Sequence, residues 1–235
     1  MIAIEVGPTR DAIFLRGPNR FLVIAKLRGE EVPCFLPNPG RMTELLRPGV
    51  RLRVREMTED GRKTRYDVVA VDTGERLISV DTRVPNRLVS VALNSRALPE
   101  FSQYSRVFSE RGYGNSRFDF LLSSGRRRCL LEVKSCTLVE DGRALFPDAV
   151  TERGRRHLLH LVQALGEGYR ASLLFLLQRE DAEAVSPNDR TDPRFGEALR
   201  LAAGRGVEIL AYRSRMEKDR IHLGSRLDVE LDPHN

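Results

Sequence analysis

The sequence predicts an α/β chain in two parts: a small all-β barrel over residues 1–83, then an α/β domain of order αβββαβ over 84–235 with a mixed sheet. Three observations carry this. Residues 12–82 read as short β-like runs punctuated by Gly, Pro and Asn. The apolar period then changes to that of a helix near Pro85, and strand and helix patterns alternate beyond it. One later run, SLLFLLQ at 172–178, is apolar on both faces, as a central strand covered by helices on both sides must be.

In chain order, the first runs are AIFLR, RFLVIAKL, VPCFL, VRLRVREM, TRYDVVAVD and RLISVD. The breaks Gly17-Pro18-Asn19, Pro37-Asn38-Pro39-Gly40 and Pro48-Gly49 are turn chemistry, with φ fixed by proline or free to be positive at glycine. Five or six such strands in about 75 residues predict a small barrel of the OB type. Leu88, Val91, Ala92 and Ser95 then share one helical face, which places a helix over 85–98. Three strands follow in FSQYSRVF, RFDFLL and RCLLEVK, with a further extended piece through Leu145. A helix over 151–166 carries the stripe Leu158, Leu159, Leu161, Val162 and Leu165, with Thr151 as its cap. After the central strand come a helix over 193–203 and the strand VEILAY.

Composition narrows the partners. The net charge is +6, with an isoelectric point near 9.6, which suits a polyanion such as nucleic acid. Aromatic residues make up only 6% of the chain and tryptophan is absent, so duplex or junction backbone binding is expected over base stacking. Cys34, Cys129 and Cys136 have no close CxxC spacing, which argues against a zinc ribbon or a disulfide framework. They read as buried neutral thiols. The N-terminal MIAIEVGPTRD lacks the pattern of a secretory signal and no apolar run reaches membrane-spanning length. A cytoplasmic protein without a membrane partner is expected.

The most informative segment is FDFLLSSGRRRCLLEVK at 118–134. Charged residues rarely end an apolar strand unless they are paired or bind an ion, so Glu132 and Lys134 call for a reason. Period-two geometry puts both on one face. If the two runs form a hairpin about the basic turn at 123–128, Asp119 comes close to Glu132 at the same sheet end. Two carboxylates and a lysine then converge, as hydrolysis of a phosphodiester with a divalent cation requires: oxygens for Mg²⁺ or Mn²⁺, and an ammonium to orient water or steady the phosphate. The chain has only four lysines, Lys26, Lys63, Lys134 and Lys218, so one two residues after this glutamate stands out. The alternative is a cross-strand ion pair, and spacing alone does not separate the two.

An acid on one strand and acid-x-lysine on the next resembles the PD-(D/E)xK nuclease superfamily. YGNSRFDFLL at 113–122, LLEVKSCTLVEDGRALFPDAVTERGRRHL at 130–158 and PNPGRM at 37–42 are similar to the sugar fermentation stimulation protein A family. The resemblance runs from about residue 20 to 231. It implies an OB-like domain fused to a restriction-endonuclease-like domain, with DNA binding. Asp119 and Glu132 become metal ligands by that likeness, with the Val133 carbonyl supplying a further oxygen and Lys134 the water-orienting or charge-stabilising role. Family members commonly read PNTGRM, so Pro39 removes a hydroxyl and a backbone donor here.

Further candidates are weaker. Glu110 could add a ligand or be a solvated partner of a nearby arginine. Arg153, Arg155 and Arg156 open the helix after the acid-x-lysine strand, where phosphate contact is expected. Arg51, Arg53 and Arg55 alternate with Leu52 and Val54 and are expected on one exposed barrel face. Arg41 reaches a phosphate or bridges the domains, and Arg117 joins the nucleic-acid-binding set. His157 and His160, three apart on a helix, read as surface or packing histidines. The expected function is a Mg²⁺- or Mn²⁺-dependent nuclease acting on DNA or RNA. The alternative is a nonspecific DNA-binding regulator that keeps the scaffold without appreciable cutting, and a homodimer would address both strands of a duplex.

Overall fold

A computed structural model describes residues 2–232. Its first strand, β1 (Ala3–Glu5), pairs antiparallel with the last one, Arg220–Val229, so the N-terminal residues join the sheet of the second domain. Next come β2 (Arg10–Asn19), β3 (Leu22–Leu27), β4 (Glu30–Phe35), β5 (Arg51–Glu56) and β6 (Tyr66–Asp72). They pair in the ring β2-β3-β4-β6-β5-β2, a closed five-stranded barrel of the expected OB type. Alternation fills it: Ala12 and Phe14, Val23, Ala25 and Leu27, and Leu52 and Val54 all point inward. The β3–β4 hairpin turns on Arg28 and Gly29, both at positive φ, the backbone that a two-residue turn between twisted strands needs.

The short β7 (Leu77–Ser79) is the seam between the two halves. It pairs with β6 on the barrel side and, through Leu77 opposite Met216, with the sheet of the second domain. Helix α1 (Val84–Asn94) follows, shorter than the predicted 85–98 because the chain turns at Arg96, at positive φ, into a 3-10 turn at Pro99–Phe101. The second domain then runs β8 (Arg106–Tyr113), β9 (Ser116–Ser124), β10 (Arg127–Cys136), β11 (Val139–Glu140), β12 (Arg143–Phe146), α2 (Glu152–Gly166), β13 (Arg170–Leu177), β14 (Ala184–Pro187), α3 (Pro193–Gly204), β15 (Glu208–Glu217) and β16 (Arg220–Val229). This mixed α/β architecture contains the predicted αβββαβ order.

The main sheet is ordered β8-β9-β10-β13-β15-β16-β1 and is parallel only at β10–β13 and β13–β15. Helix α1 covers one face, and α2 and α3 cover the other. The central strand shows why both faces are apolar: Leu174 and Leu176 pack on the α1 side, while Leu173, Phe175 and Leu177 pack beneath α2 and α3. The same alternation governs β10, where Cys129, Leu131 and Val133 face α1 and Leu130 and Cys136 face α2. Glu132 and Lys134 have the parity of Leu130 and Cys136. They therefore emerge on the α2 side, at the sheet end nearest the start of that helix.

Candidate active site

The β9–β10 hairpin has Leu131 opposite Phe120, which makes Asp119 and Glu132 the next neighbours along the ladder. Asp119 is held from two directions. Its Oδ2 accepts the Val133 N–H at 2.7 Å, and its Oδ1 accepts the Asn86 side-chain amide, from the first turn of α1, at 2.6 Å. Glu132 is 3% exposed and its two oxygens are used unequally. Oε1 takes the Lys134 ammonium at 2.5 Å and the His157 Nδ1 at 2.5 Å, whereas Oε2 is buried with no hydrogen-bond partner. Arg153 Nε donates to His157 Nε2 at 3.4 Å, which leaves the imidazole proton on Nδ1, facing Glu132.

Electrostatics separate the two acids. Burial, and then the Glu132 charge, push the Asp119 carboxyl up to about 6. Burial pushes Glu132 upward too, but the His157 bond and the Lys134 charge outweigh it and hold this carboxyl below its ordinary range. A buried, unpartnered carboxylate oxygen beside a second carboxylate is a group of high cost unless a cation meets it. Among the described residues no cluster of three or more His, Cys, Asp or Glu side chains is set to hold a metal. A site of two carboxylates and a neighbouring backbone carbonyl, completed by water and phosphate oxygens, still fits Mg²⁺, which is bound in this sparse way. The cysteines stay out of it: Cys129 and Cys136 are buried thiols pushed up to about 11 and about 12 by burial.

The site floors a cleft of about 480 Å³ between the domains. One wall is the barrel turn Asn38-Pro39-Gly40 with Arg20, and the other is the 146–151 segment with Arg153. Asn38 ties that turn to the rest of the protein, donating to the Val80 carbonyl at 3.0 Å and accepting the Gly40 N–H at 2.8 Å. Gly40 lets the Asp148 side chain close on the turn: a Cβ there would lie 2.1 Å from Asp148 Oδ2, which would have to shift.

The other expected residues scatter. Glu110 lines a neighbouring hollow with Asp119 and Asn86, but its exposed carboxylate is paired with Arg117 at 2.6 Å. Arg153 lines the cleft, Arg156 is exposed outside it, and half-buried Arg155 is held by Asp192 at 2.9 Å. The expected exposed arginine face on β5 is not what the barrel presents. Arg51 is paired with Asp72, Arg53 is half-buried against Asp11 and Thr9, and Arg55 is half-buried against the Val6 carbonyl and Asp67. Arg41 is exposed and lines a neighbouring cavity on the barrel, outside the cleft, where its charge acts on Asp148.

Two residues of the site were missed by sequence reasoning. His157 is not a surface histidine but a buried partner of Glu132, and Asn86 is the partner of Asp119. The readable signal for His157 was its helical phase, four residues before buried Leu161 and seven before buried Ala164. His160, half-buried, meets Ser116 Oγ at 2.6 Å instead.

Comparison with known proteins agrees with this architecture. Residues 15–80 match the SfsA N-terminal OB domain, and residues 83–220 match the sugar fermentation stimulation protein RE domain. A sugar fermentation stimulation protein homolog of Chloroflexus aurantiacus is 47% identical over 223 residues, covering 95% of this chain and 86% of that one. One from Moorella thermoacetica is 46% identical over 222 residues, covering 94% of this chain and 96% of its own. The solved structure of Pyrococcus furiosus SfsA in complex with Ca²⁺ superimposes with a TM-score of 0.91 at 29% identity, covering 98% of this chain and 99% of that one. The chain belongs to the sugar fermentation stimulation protein family.

Proposed function

We propose that the protein is a divalent-metal-dependent nuclease that hydrolyses phosphodiester bonds in DNA or RNA. The observation that carries this is Glu132 Oε2, a buried carboxylate oxygen without a partner, set beside a second carboxylate at the floor of a cleft. Asp119 and Glu132 would hold the cation, and the Val133 carbonyl would add an oxygen. Mg²⁺ or Mn²⁺ would supply Lewis acidity and neutralise charge that develops on the phosphate. That the related Pyrococcus structure is a Ca²⁺ complex supports a hard divalent cation.

The protein's own groups do the rest. Asn86 and the Val133 N–H fix the Asp119 carboxylate, and His157 and Lys134 hold Oε1 of Glu132, which leaves Oε2 for the cation. Lys134, 13% exposed, is the ammonium that would orient the attacking water or meet a non-bridging phosphate oxygen in the cleft. Arg153, at the cleft wall, would steady a flanking phosphate.

The test is cleavage of supercoiled plasmid, linear duplex and single-stranded substrates with Mg²⁺, with Mn²⁺ and with chelator, beside Lys134→Ala. Cutting should require the metal and fall by at least about 100-fold in the variant, a loss of about 2.7 kcal/mol of transition-state stabilisation. Salt-sensitive binding without cutting on any substrate would instead establish a DNA-binding regulator on a nuclease scaffold.

A further inference from the structure

The acid pair is open on two sides. Asp119 and Asn86 line the cleft, and both also line a separate hollow of about 380 Å³ between α1 and the β8–β9 strands. A nucleic-acid chain with one phosphate on a cation at Asp119 has a flanking phosphate on either side of it, and the cleft provides for one of these with Arg153. The hollow holds groups that suit the other, namely Arg87, Ser90 and Ser109.

Local structure brings these three together. Arg87 and Ser90 are three apart on α1 and share a face of the helix. Ser109 stands opposite Phe120 on the β8–β9 ladder, and Phe120 packs on the α1 side of the sheet, so Ser109 points toward that helix as well. Arg87 is exposed. Its Nη2 donates to the Glu5 carbonyl at 3.0 Å, which leaves the remaining guanidinium donors free, and no carboxylate among the described residues pairs with it. The Ser90 and Ser109 hydroxyls also have no partner among the described residues. Of the two acids that line the hollow, Asp119 belongs to the acid pair and Glu110 is already paired with Arg117 at 2.6 Å. The surrounding charge has the same sign. Arg96, Arg106, Arg111, Arg126 and Arg127 are exposed without a carboxylate partner among the described residues, whereas Glu100 is paired with Arg226 at 2.9 Å.

We propose that Arg87, with the Ser90 and Ser109 hydroxyls, forms a phosphate subsite on the α1 face of the sheet, so that a nucleic-acid chain crosses the sheet end from Arg153, over the acid pair, to Arg87. Arg153 is in the first turn of α2 and Arg87 in the first turn of α1, and these helices cover opposite faces of the sheet. The two guanidiniums therefore bracket the acids. A guanidinium presents paired donors to a phosphate, and the two hydroxyls add neutral ones. Such contacts reach no base edge, so this subsite positions the chain without reading its sequence. The subsite rests on the nuclease reading only for the identity of the chain as nucleic acid.

Binding measured in chelator separates the subsite from cleavage. In fluorescence anisotropy with a labelled duplex and a labelled single strand of mixed sequence, Arg87→Ala should bind about tenfold more weakly than the parent. The slope of log K against log salt should flatten by about 0.9 on the duplex or about 0.7 on the single strand, as for one phosphate no longer neutralised, and this effect on either substrate sustains the subsite. Arg87→Gln keeps a donor for the Glu5 carbonyl but carries no charge, and should lose as much. Ser109→Asp, which sets a carboxylate in the hollow, should weaken binding at least about tenfold. Arg205→Ala removes an exposed arginine at the end of α3, away from both cavities, and should change binding by less than about twofold. Circular dichroism verifies that each variant is folded. Arg87→Gln binding like the parent would reduce Arg87 to a tie between α1 and β1, and an equal loss in Arg205→Ala would reduce the effect to net charge; either overturns the subsite, as does a parent that binds neither nucleic acid. Binding that depends on Arg87 without any cleavage sustains the subsite and removes only the nuclease reading.

Discussion

Glu132 is served by two neighbours that play different parts, and His157 is the one whose part can be isolated. Lys134 would meet phosphate, while His157 lies behind the carboxylate, buried against the Phe118 ring at a centroid distance of 5.4 Å. It touches no cleft solvent and acts through Glu132. Partners of a metal-binding carboxylate, when removed, typically cost about 10–100-fold in metal affinity. His157→Ala is therefore expected to weaken Ca²⁺ or Mn²⁺ binding by about that factor in isothermal titration calorimetry, with no nucleic acid present. His157→Asn, whose amide can still donate to Oε1, should recover much of it; equal affinity in all three proteins would reduce His157 to packing. Asp119, Glu132 and Lys134 were legible in the sequence because strand alternation and a hairpin bring them together with no other information. His157 and Asn86 were not, since they reach the acids from helices on opposite faces of the sheet, and no spacing within one segment records that crossing.

At the level of elements, the helices were read well because their ends carry chemical signals. Thr151 caps α2, accepting the Gly154 N–H at 3.0 Å, as its place before the apolar stripe predicted. Asp192 is the node that locks α2 to α3. It caps α3 by accepting the Phe195 N–H at 3.1 Å, accepts the Thr151 N–H at 2.8 Å and pairs with Arg155 at 2.9 Å. Its side chain is 2% exposed, so Asp192→Ala strips three donors at once and is expected to cost about 2–3 kcal/mol in denaturant unfolding, whereas Asp192→Asn should cost less by keeping the cap. A loss within about 0.5 kcal/mol for Asp192→Ala would show that solvent replaces these bonds. The three arginines at the start of α2 read alike in sequence, yet only this tertiary contact shows that Arg155 is structural and Arg153 faces the cleft. Strands β1, β14 and β16 went unread for a related reason. Of ten residues in β16 only Ile221 and Leu227 are buried, and its pairing with β15 is shifted between Tyr212 and Ser214, so no period of two survives in the sequence.

The whole molecule is tied across its two domains by more than the single β7 contact. Ser79 of the barrel domain donates to the Gln178 side-chain carbonyl at 2.8 Å, and Gln178 in turn donates to Ser135, the residue after Lys134, at 2.9 Å. Nearby, Arg76 from the β6–β7 turn reaches Asp181 Oδ2 at 2.5 Å, while Arg179 holds both oxygens of the same carboxylate at 2.6 Å each. The change of period near residue 83 was legible, but these cross-domain pairs were not, because each partner reads as an ordinary loop residue in its own segment. They join the barrel to the second domain, and one of them can be titrated. The Arg179 hydrogen bonds, set against some desolvation and aided by the charges of Arg179 and Arg76, draw the Asp181 carboxyl down to about 2. An unfolded aspartate titrates near about 3.9, so the folded state binds this proton less readily than the unfolded chain. Asp181 thus contributes stability at any pH above about 4, and that contribution disappears as the pH falls toward about 2. Asp181→Asn removes it at every pH. The variant should be less stable than the parent in urea at neutral pH, with the gap narrowing between about pH 4 and pH 2. A gap that stays constant over this range would mean that the pairs joining barrel to sheet hold by shape and neutral hydrogen bonds, and not by charge.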